Sequence, residues 1–344
     1  LSAWDGRETA PAAASPNLFL RDGQPLPFYD AVLSGRSVGV PGAVAMLEAA
    51  HRAHGRLPWA RLWRDAAALA ESGFPVSARL AQAIASEADR LRRDPASRAY
   101  FLAADGAPLP EGHLLRNPPL AEVFRQIGAE GSAALHSGPI AAAIAAAVRG
   151  HGEGGLMTTD DLAGYAPRRR EALCTPYRAW RVCGFPPPSS GGVAVAQILG
   201  VLEHFDLARL DPRGADAAHL IAEAGRLAFA DRNLFLADSD YVPQPLRGLL
   251  ADHYLSARAQ LVSRDRAMER VSAGNPSWRE TALTPRPAPM PAQPENGTSH
   301  LSIVDSDGNA VSMTTTVEDA FGARLMVRGF VLNNELTDFS FRPE

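Results

Sequence analysis

The stretch GTSHLSIVDSDGNAVSMTTT, residues 297–316, has the pattern of a β-hairpin. Leu301 and Ile303 alternate with polar side chains, as in a strand with one buried face. The segment DSDG at 305–308 favours a turn, and the alternation resumes after it. The pattern therefore predicts two antiparallel strands that place Thr298 opposite Thr315 or Thr316, depending on register.

The chain changes character on both sides of this hairpin. Five prolines between Thr284 and Pro294 favour an extended conformation and exclude a central strand, so this segment is predicted to be an exposed linker. Beyond the hairpin, Gly329 to Leu332 predicts a third strand that ends at Asn333-Asn334. Before about residue 275 the chain is predicted to be rich in helix, because apolar residues recur at helical spacing in 43–50, 62–69, 140–148, 195–202 and 216–236.

The junction between Gly297 and Thr298 has the chemistry for intramolecular cleavage. Glycine offers an unhindered carbonyl, and a threonine hydroxyl can attack it where the backbone is held strained. Cleavage would free an α-amine with an unperturbed pKa of about 7.7–8.0, suited to act as the base for its own hydroxyl. A hydroxyl from Thr315 or Thr316 would hold the nucleophilic oxygen, although threonines here are also ordinary strand formers.

The composition of the chain limits the classes of partner and cofactor that it is expected to bind. The 344 residues carry a formal net charge of −4, which argues against nucleic acid or an anionic membrane as the main partner. No apolar run is long enough to span a membrane. Cys174 and Cys183 lack the spacing of a metal site, and neither a metal nor a cofactor is expected. Two free buried thiols are expected, with a hairpin disulfide as the alternative.

Six blocks resemble, in family order, those of the γ-glutamyltransferases. Residues 298–312 resemble the start of the family's small subunit, and Gly329 to Phe339, with LNNELTDF, resembles the next block. The resemblance extends over essentially the whole chain, since the upstream blocks are DGRETAP at 5–11, VGVPG at 38–42, GGLMTTDDL at 154–162 and PPPSSGG at 186–192.

The resemblance implies the N-terminal nucleophile hydrolase fold, an α+β fold in which two antiparallel sheets lie between helical layers in a four-layer αββα sandwich. It also implies a precursor that cuts itself between Gly297 and Thr298. Residues 1–297 would belong to the large subunit and 298–344 would open the small subunit, the two forming a heterodimer within one composite domain. The chain would be incomplete at both ends, because family members continue past Glu344 with paired serines and the glycine pair of an oxyanion hole.

The implied reaction is γ-glutamyl transfer or hydrolysis. Thr298 Oγ1 would attack the γ-amide carbon of glutathione or a related compound and form a γ-glutamyl ester. Water, or the amine of an amino acid or dipeptide, would then release the γ-glutamyl group. The family also suggests a periplasmic or extracellular location.

Matching the family residue by residue assigns further roles. Thr316 would steady the nucleophile, and Arg7 would hold the substrate α-carboxylate, for which its planar fork is suited. Glu335 and Asp338 would hold the α-ammonium. Glu318 is included in the substrate site as a variant, because many members carry there an asparagine that contacts the substrate carboxylate.

Two other functions remain open. A cephalosporin or glutaryl acylase on the same scaffold would not need contacts to an α-amine, so the combination of Arg7, Glu335 and Asp338 favours a free amino-acid headgroup. A non-catalytic binding or structural relative would not need a threonine after Gly297.

Overall fold

The computed structural model of the protein describes residues 1–278 and 297–342. The predicted linker at 284–294 lies outside these residues. The chain divides into two compact units. One consists of Trp4–Arg168 with the described part of Ala292–Glu344, and the other of Leu1–Ala3 with the described part of Arg169–Pro291. The subunit boundary between Gly297 and Thr298 concerns cleavage and stays a prediction.

Helices make up most of the regular structure. In chain order the α-helices of the described residues are α1 (Phe28–Val32), α2 (Ala43–His54), α3 (Trp59–Ser72), α4 (Ala78–Leu91), α5 (Pro95–Phe101), α6 (Pro118–Glu130), α7 (Ala133–His136), α8 (Gly138–Gly150), α9 (Thr159–Ala163), α10 (Gly191–Leu202), α11 (Ala215–Phe235), α12 (Leu246–Leu249) and α13 (Asp252–Ala259). The strands are β1 (Ala3–Asp5), β2 (Leu20–Arg21), β3 (Gln24–Pro25), β4 (Phe74–Pro75), β5 (Leu114–Leu115), β6 (Arg168–Arg170), β7 (Leu173–Tyr177), β8 (Trp180–Gly184), β9 (Ser299–Val304), β10 (Ala310–Thr315), β11 (Met326–Val327) and β12 (Phe330–Val331).

The five predicted helical segments correspond to α2, α3, α8, α10 and α11. Their sequence signals act locally, as where Gly73 follows α3 with a φ of 86°, a value that favours glycine. In α3, however, the leucines at 62 and 69 that indicated the helix are about half exposed, whereas Ala67 and Ala70 are buried. The small residues allow close packing, since Ala60 of α3 lies directly against Gly128 of α6.

The core of the unit that contains the predicted site surrounds α8. Ile144 and Val148 of this helix are fully buried and belong to one cluster with Leu325 and Leu332. Burying one such side chain contributes roughly 1.5–3 kcal/mol. Because Leu325 and Leu332 follow the hairpin in sequence, this cluster fixes the segment 316–338 against the N-terminal part of the chain.

The predicted hairpin is confirmed, and its register is defined. Strands β9 and β10 pair antiparallel with Thr315 opposite Ser299, so that continuing the register by one residue brings Thr298 opposite Thr316. The expected buried face is not formed by the described residues, because Leu301 and Ile303 are 45% and 55% exposed. The third predicted strand corresponds to β12, which pairs with β11.

The combination of helices with small antiparallel sheets confirms the α+β class. Within residues 1–278 and 297–342 each sheet has two strands, so these residues do not by themselves build the two stacked sheets of the expected sandwich. In this part of the chain no helix combines the length and the apolar character that a membrane span requires.

Cys174 and Cys183 form a disulfide, so the expectation of two free buried thiols is wrong. The two residues are direct partners across β7 and β8, with Cα atoms 4.0 Å apart. This register brings the sulfur atoms within bonding reach, which spacing along the chain alone does not establish. Cys174 is half-buried and Cys183 is exposed, so neither is a core thiol.

The disulfide predicts the thiol content of the native protein. Protein unfolded without reductant should show no thiol from Cys174 or Cys183 in a colorimetric thiol titration, and two after reduction. The variant Cys174→Ser should expose one thiol, that of Cys183, without any reductant. Two reactive thiols in the unreduced wild-type protein would contradict the pairing.

Candidate active site

The predicted nucleophile lies beside the hydroxyl that was expected to hold it. Thr298 Oγ1 donates a hydrogen bond to Thr316 Oγ1 at 3.4 Å. Thr316 Oγ1 in turn donates to the carbonyl oxygen of Gly297 at 3.4 Å, and it accepts a hydrogen bond from the backbone N–H of Glu318 at 2.9 Å. The first two contacts are long and therefore weak. Of Thr315 and Thr316, Thr316 is the one that contacts Thr298.

This arrangement connects the nucleophile to the carbonyl that it would attack. Thr316 Oγ1 accepts hydrogen bonds from Thr298 and from the N–H of Glu318. Its own hydroxyl hydrogen therefore points at the Gly297 carbonyl. Gly297 has φ of 72°, a left-handed conformation in which a side chain is unfavourable. The residue type at 297 therefore matches its backbone as well as the chemistry of the junction.

The three predicted headgroup residues also come together. Arg7 Nη2 lies 2.8 Å from Glu335 Oε1 and 2.5 Å from Asp338 Oδ2. The side chains of Arg7 and Asp338 are about half exposed, whereas that of Glu335 is only 3% exposed. Glu335 Oε2 is buried without a hydrogen-bond partner among the described residues. The cluster thus offers one cation, two carboxylates and one unused acceptor oxygen.

Asn333 positions Glu335 against the N-terminal part of the chain. Its Oδ1 accepts hydrogen bonds from the N–H of Gly39 at 2.9 Å and from the N–H of Glu335 at 3.1 Å. Its Nδ2 donates to the carbonyl of Gly39 at 3.0 Å. A short 3₁₀ helix, Glu335–Asp338, then carries Glu335 and Asp338 to Arg7, with Leu336 buried beneath it.

The backbone of Arg7 is held on both sides. Tyr165 Oη donates to the carbonyl oxygen of Arg7 at 2.9 Å, and the N–H of Arg7 donates to Asp5 Oδ1 at 2.9 Å. The next residue, Glu8, lies in the same acidic surroundings. Burial, followed by the negative charge of Glu335, raises the pKa of Glu8 to about 7.

Glu318 lies between the threonine pair and the headgroup cluster. It is 9% exposed and has φ of 73°, a conformation that costs a non-glycine residue about 1–2 kcal/mol. Asn334 Nδ2 donates to Glu318 Oε2 and, at 3.1 Å, to Thr337 Oγ1. Burial raises the pKa of Glu318 to about 7, and the charges of Asp338, Asp319 and Glu335 add to the rise despite the opposing hydrogen bond from Asn334.

Three residues near the site were not predicted from the sequence. Asn333 and Asn334 were expected only to end a strand, and Glu8 was given no role. The available signal was an asparagine pair directly before a carboxylate, because asparagine can both donate to and accept from neighbouring backbone. In the part of the chain that the structure describes, no group of three or more His, Cys, Asp or Glu side chains is arranged to hold a metal ion.

Comparisons with known proteins identify the family. The model of the Gamma-glutamyltranspeptidase family matches residues 1–344. The glutathione hydrolase proenzyme of Bacillus subtilis (strain 168) is 38% identical over an alignment of 344 positions. The alignment covers 98% of this chain and 58% of that protein.

Solved structures show the same relationship. The gamma-glutamyltranspeptidase of Helicobacter pylori matches with a TM-score of 0.76 at 30% identity, over 82% of this chain and 81% of that chain. A cephalosporin acylase from Bacillus halodurans matches with a TM-score of 0.80 at 26% identity, over 99% of this chain and 60% of that chain.

The chain spans 58% of the length of the Bacillus subtilis relative. The fold agreement with the two solved structures confirms the predicted N-terminal nucleophile hydrolase fold class. Since the family match covers all 344 residues, the chain belongs to the Gamma-glutamyltranspeptidase family.

Proposed function

We propose that the complete protein carrying this chain is a self-processing γ-glutamyltransferase with glutathione hydrolase activity. The observation that carries the proposal is the position of Glu318. Its backbone N–H donates a hydrogen bond to Thr316, the neighbour of the nucleophile, while its carboxylate accepts a hydrogen bond from Asn334, which directly precedes Glu335. Nucleophile and headgroup cluster are therefore parts of one site.

The headgroup cluster suits a zwitterion. Without a ligand, Arg7 is paired with Glu335 and Asp338. An α-carboxylate would take over the guanidinium, and an α-ammonium would take over the two carboxylates, so that every charge keeps a partner. The unpartnered Oε2 of Glu335 offers an additional acceptor for the ammonium. A γ-glutamyl compound such as glutathione has this headgroup, with its amide one side-chain length away.

Processing and catalysis would use the same hydroxyl. In processing, Thr298 Oγ1 attacks the Gly297 carbonyl carbon, the peptide bond becomes an ester with a free α-amine, and water cleaves the ester. In catalysis, that amine takes the hydroxyl proton while Oγ1 bonds the γ-carbonyl carbon. The α-amine of Thr298 then passes this proton to the amine of the substrate, which departs. Water, or an amino acid or dipeptide acceptor, then releases the γ-glutamyl group from Oγ1. Thr316 would hold Oγ1 in both reactions.

We further propose that residues 1–297 and 298–344 belong to the two subunits of a heterodimer in the periplasm or outside the cell. The relatives are named proenzymes, which supports processing. The Cys174–Cys183 disulfide supports the location, because disulfides persist in oxidising compartments.

An acylase is the second candidate, supported by the likeness to the Bacillus halodurans cephalosporin acylase over 99% of this chain. A glutaryl group carries a carboxylate for Arg7 but no amine. Glu335, which is buried, would then lose Arg7 as its partner and gain none. The site charges therefore favour the γ-glutamyl headgroup.

Self-processing predicts a cleavage pattern. The complete protein should split between Gly297 and Thr298 without added protease, Thr298→Ala should stay a single chain, and Thr298→Ser should cleave slowly. Thr316→Ala should slow cleavage about two- to fivefold, the effect of losing a weak hydrogen bond of about 0.5–1 kcal/mol. Intact-mass spectrometry over time measures this. Thr314→Ala, whose hydroxyl bonds His300 instead, is the matched control and should mature normally.

The headgroup cluster predicts substrate affinity. Arg7→Ala and Asp338→Ala should each raise KM for γ-glutamyl-p-nitroanilide by at least about tenfold, because each removes a charge-assisted hydrogen bond of roughly 1.5–3 kcal/mol. Processing should survive in both. Arg21→Ala, which removes a surface ion pair with Glu153, is the control and should leave KM unchanged. Equal turnover of glutaryl-p-nitroanilide by the wild-type protein would favour the acylase instead.

The raised pKa of Glu318 predicts how KM depends on pH. We place Glu318, a carboxylate where many family members have asparagine, on the α-ammonium side of the site. Its ionised form attracts the α-ammonium and its protonated form does not, and the pKa raised to about 7 puts this change near neutral pH. KM should therefore fall as pH rises from about 6 to about 7.5, where an α-amine with a pKa of about 8 is still mostly charged. Glu318→Gln should make this part of the profile less steep, and the remaining slope should come from Glu8, whose pKa is also raised to about 7. A KM that rises over the same range would instead place Glu318 against the substrate carboxylate.

A further inference from the structure

Arg324 is a buried arginine to which the site chemistry assigns no role. Its side chain is 1% exposed. Nε and Nη2 donate to Glu87 Oε2 at 3.0 and 2.7 Å, and Nη2 also donates to Asp319 Oδ2 at 2.7 Å. Nη1 donates to the carbonyl of Gly322 at 2.6 Å. The guanidinium thus joins α4 to the segment that follows the hairpin.

The backbone at Arg324 is unfavourable for its residue type. Its φ is 55°, in the left-handed region that glycine adopts without penalty. A non-glycine residue persists there only where the surroundings hold it. Glu87 and Asp319 hold the side chain of Arg324 by ion pairs, and Ser97 Oγ donates a hydrogen bond to its carbonyl oxygen at 2.7 Å.

A continuous set of contacts leads from Arg324 to the site. Asp319, which is 4% exposed, receives the guanidinium on Oδ2, and its backbone N–H donates to Asn334 Oδ1 at 3.0 Å. Asn334 Nδ2 donates to Glu318 Oε2, and the Glu318 N–H donates to Thr316 Oγ1. Arg324 therefore fixes the residue that shares a peptide bond with Glu318, without touching the headgroup cluster itself.

We propose that Arg324 is a positioning residue that sets the place of Glu318 in the headgroup site through Asp319 and Asn334. This role rests on the proposed function. Without the guanidinium, Asp319 would keep a buried negative charge next to Glu318 with no cation against it. The carboxylates of Asp319 and Glu318 would repel each other. Either the segment 318–319 would shift, or one of the two carboxylates would take up a proton. Recognition of the substrate α-ammonium would suffer before the threonine chemistry does.

The chain offers a matched control for the ion pair. Arg90 Nη1 also binds Glu87, at 2.6 Å, and its guanidinium lies over the ring of Tyr29, but no hydrogen bond or ion pair connects it to Asp319 among the described contacts. Arg90→Met therefore removes a cation from Glu87 and leaves the path to Glu318 intact. A purely structural role for the Glu87 pairing would make the two arginine variants behave alike.

The test compares Arg324→Met, Asp319→Asn and Arg90→Met in the complete protein, with γ-glutamyl-p-nitroanilide and with glutaryl-p-nitroanilide. Asp319→Asn keeps the Arg324–Glu87 pair and serves if Arg324→Met does not fold. Both Arg324→Met and Asp319→Asn remove the ionic contact between Arg324 and Asp319 that holds the segment 318–319. We expect each to raise KM for the γ-glutamyl substrate roughly three- to thirtyfold, with a smaller change in kcat. Residual turnover of the glutaryl substrate, processing at Thr298 and every Arg90→Met value should stay close to wild type.

Two results would overturn the proposal while wild-type turnover of the γ-glutamyl substrate is intact. One is an unchanged KM in both Arg324→Met and Asp319→Asn. The other is an equal loss with both substrates carried by kcat, which indicates fewer folded sites and no effect on the headgroup. Failure of the proposed function looks different, because the wild-type protein itself would then not turn over the γ-glutamyl substrate, and the positioning role would fall with it.

Discussion

The site depends on the clamp that Asn333 forms on Gly39. One amide side chain satisfies both backbone groups of Gly39 and also the N–H of Glu335. These groups are buried, so leaving any of them unpaired would cost about 1–3 kcal/mol. The clamp therefore fixes the distance between the segments 333–338 and 38–41. From this constraint follow the burial of Glu335 and its pairing with Arg7.

The electrostatics of the site follow from this enforced proximity. Burial raises the pKa values of Glu8, Glu318 and Glu335, and the negative charge of Asp338 adds to the rise at each of the three. Arg7 is the cation placed among them, and it opposes the rise at Glu8 and Glu335. The cluster holds more negative than positive charge, so it attracts a cationic group while retaining one guanidinium for an anion. This charge pattern is complementary to the ammonium and carboxylate of an amino-acid headgroup.

The sequence predicted the local structures well and the long-range contacts only through resemblance. Alternation and turn residues were enough for the hairpin, but two registers remained until the Thr315–Ser299 pairing was known. Arg7 and Glu335 are 328 residues apart, and no periodicity reveals their contact. Free thiols were predicted for Cys174 and Cys183, with the disulfide only as the alternative, because the pairing depends on the register of β7 and β8. Arg324 could not be predicted at all, since an arginine with φ of 55° contradicts its local preference.

The contacts of Thr316 suggest how one hydroxyl could serve two reactions in turn. In the uncleaved chain its hydrogen is directed at the Gly297 carbonyl while its oxygen accepts from Thr298 and from the N–H of Glu318. Cleavage as proposed converts that carbonyl into a carboxylate at the end of a separate chain, which is free to leave. The N–H of Glu318 belongs to the buried segment and stays. Thr316 would then keep its fixed donor and have its own hydrogen available for Thr298 Oγ1, so that processing itself would complete the nucleophile's surroundings.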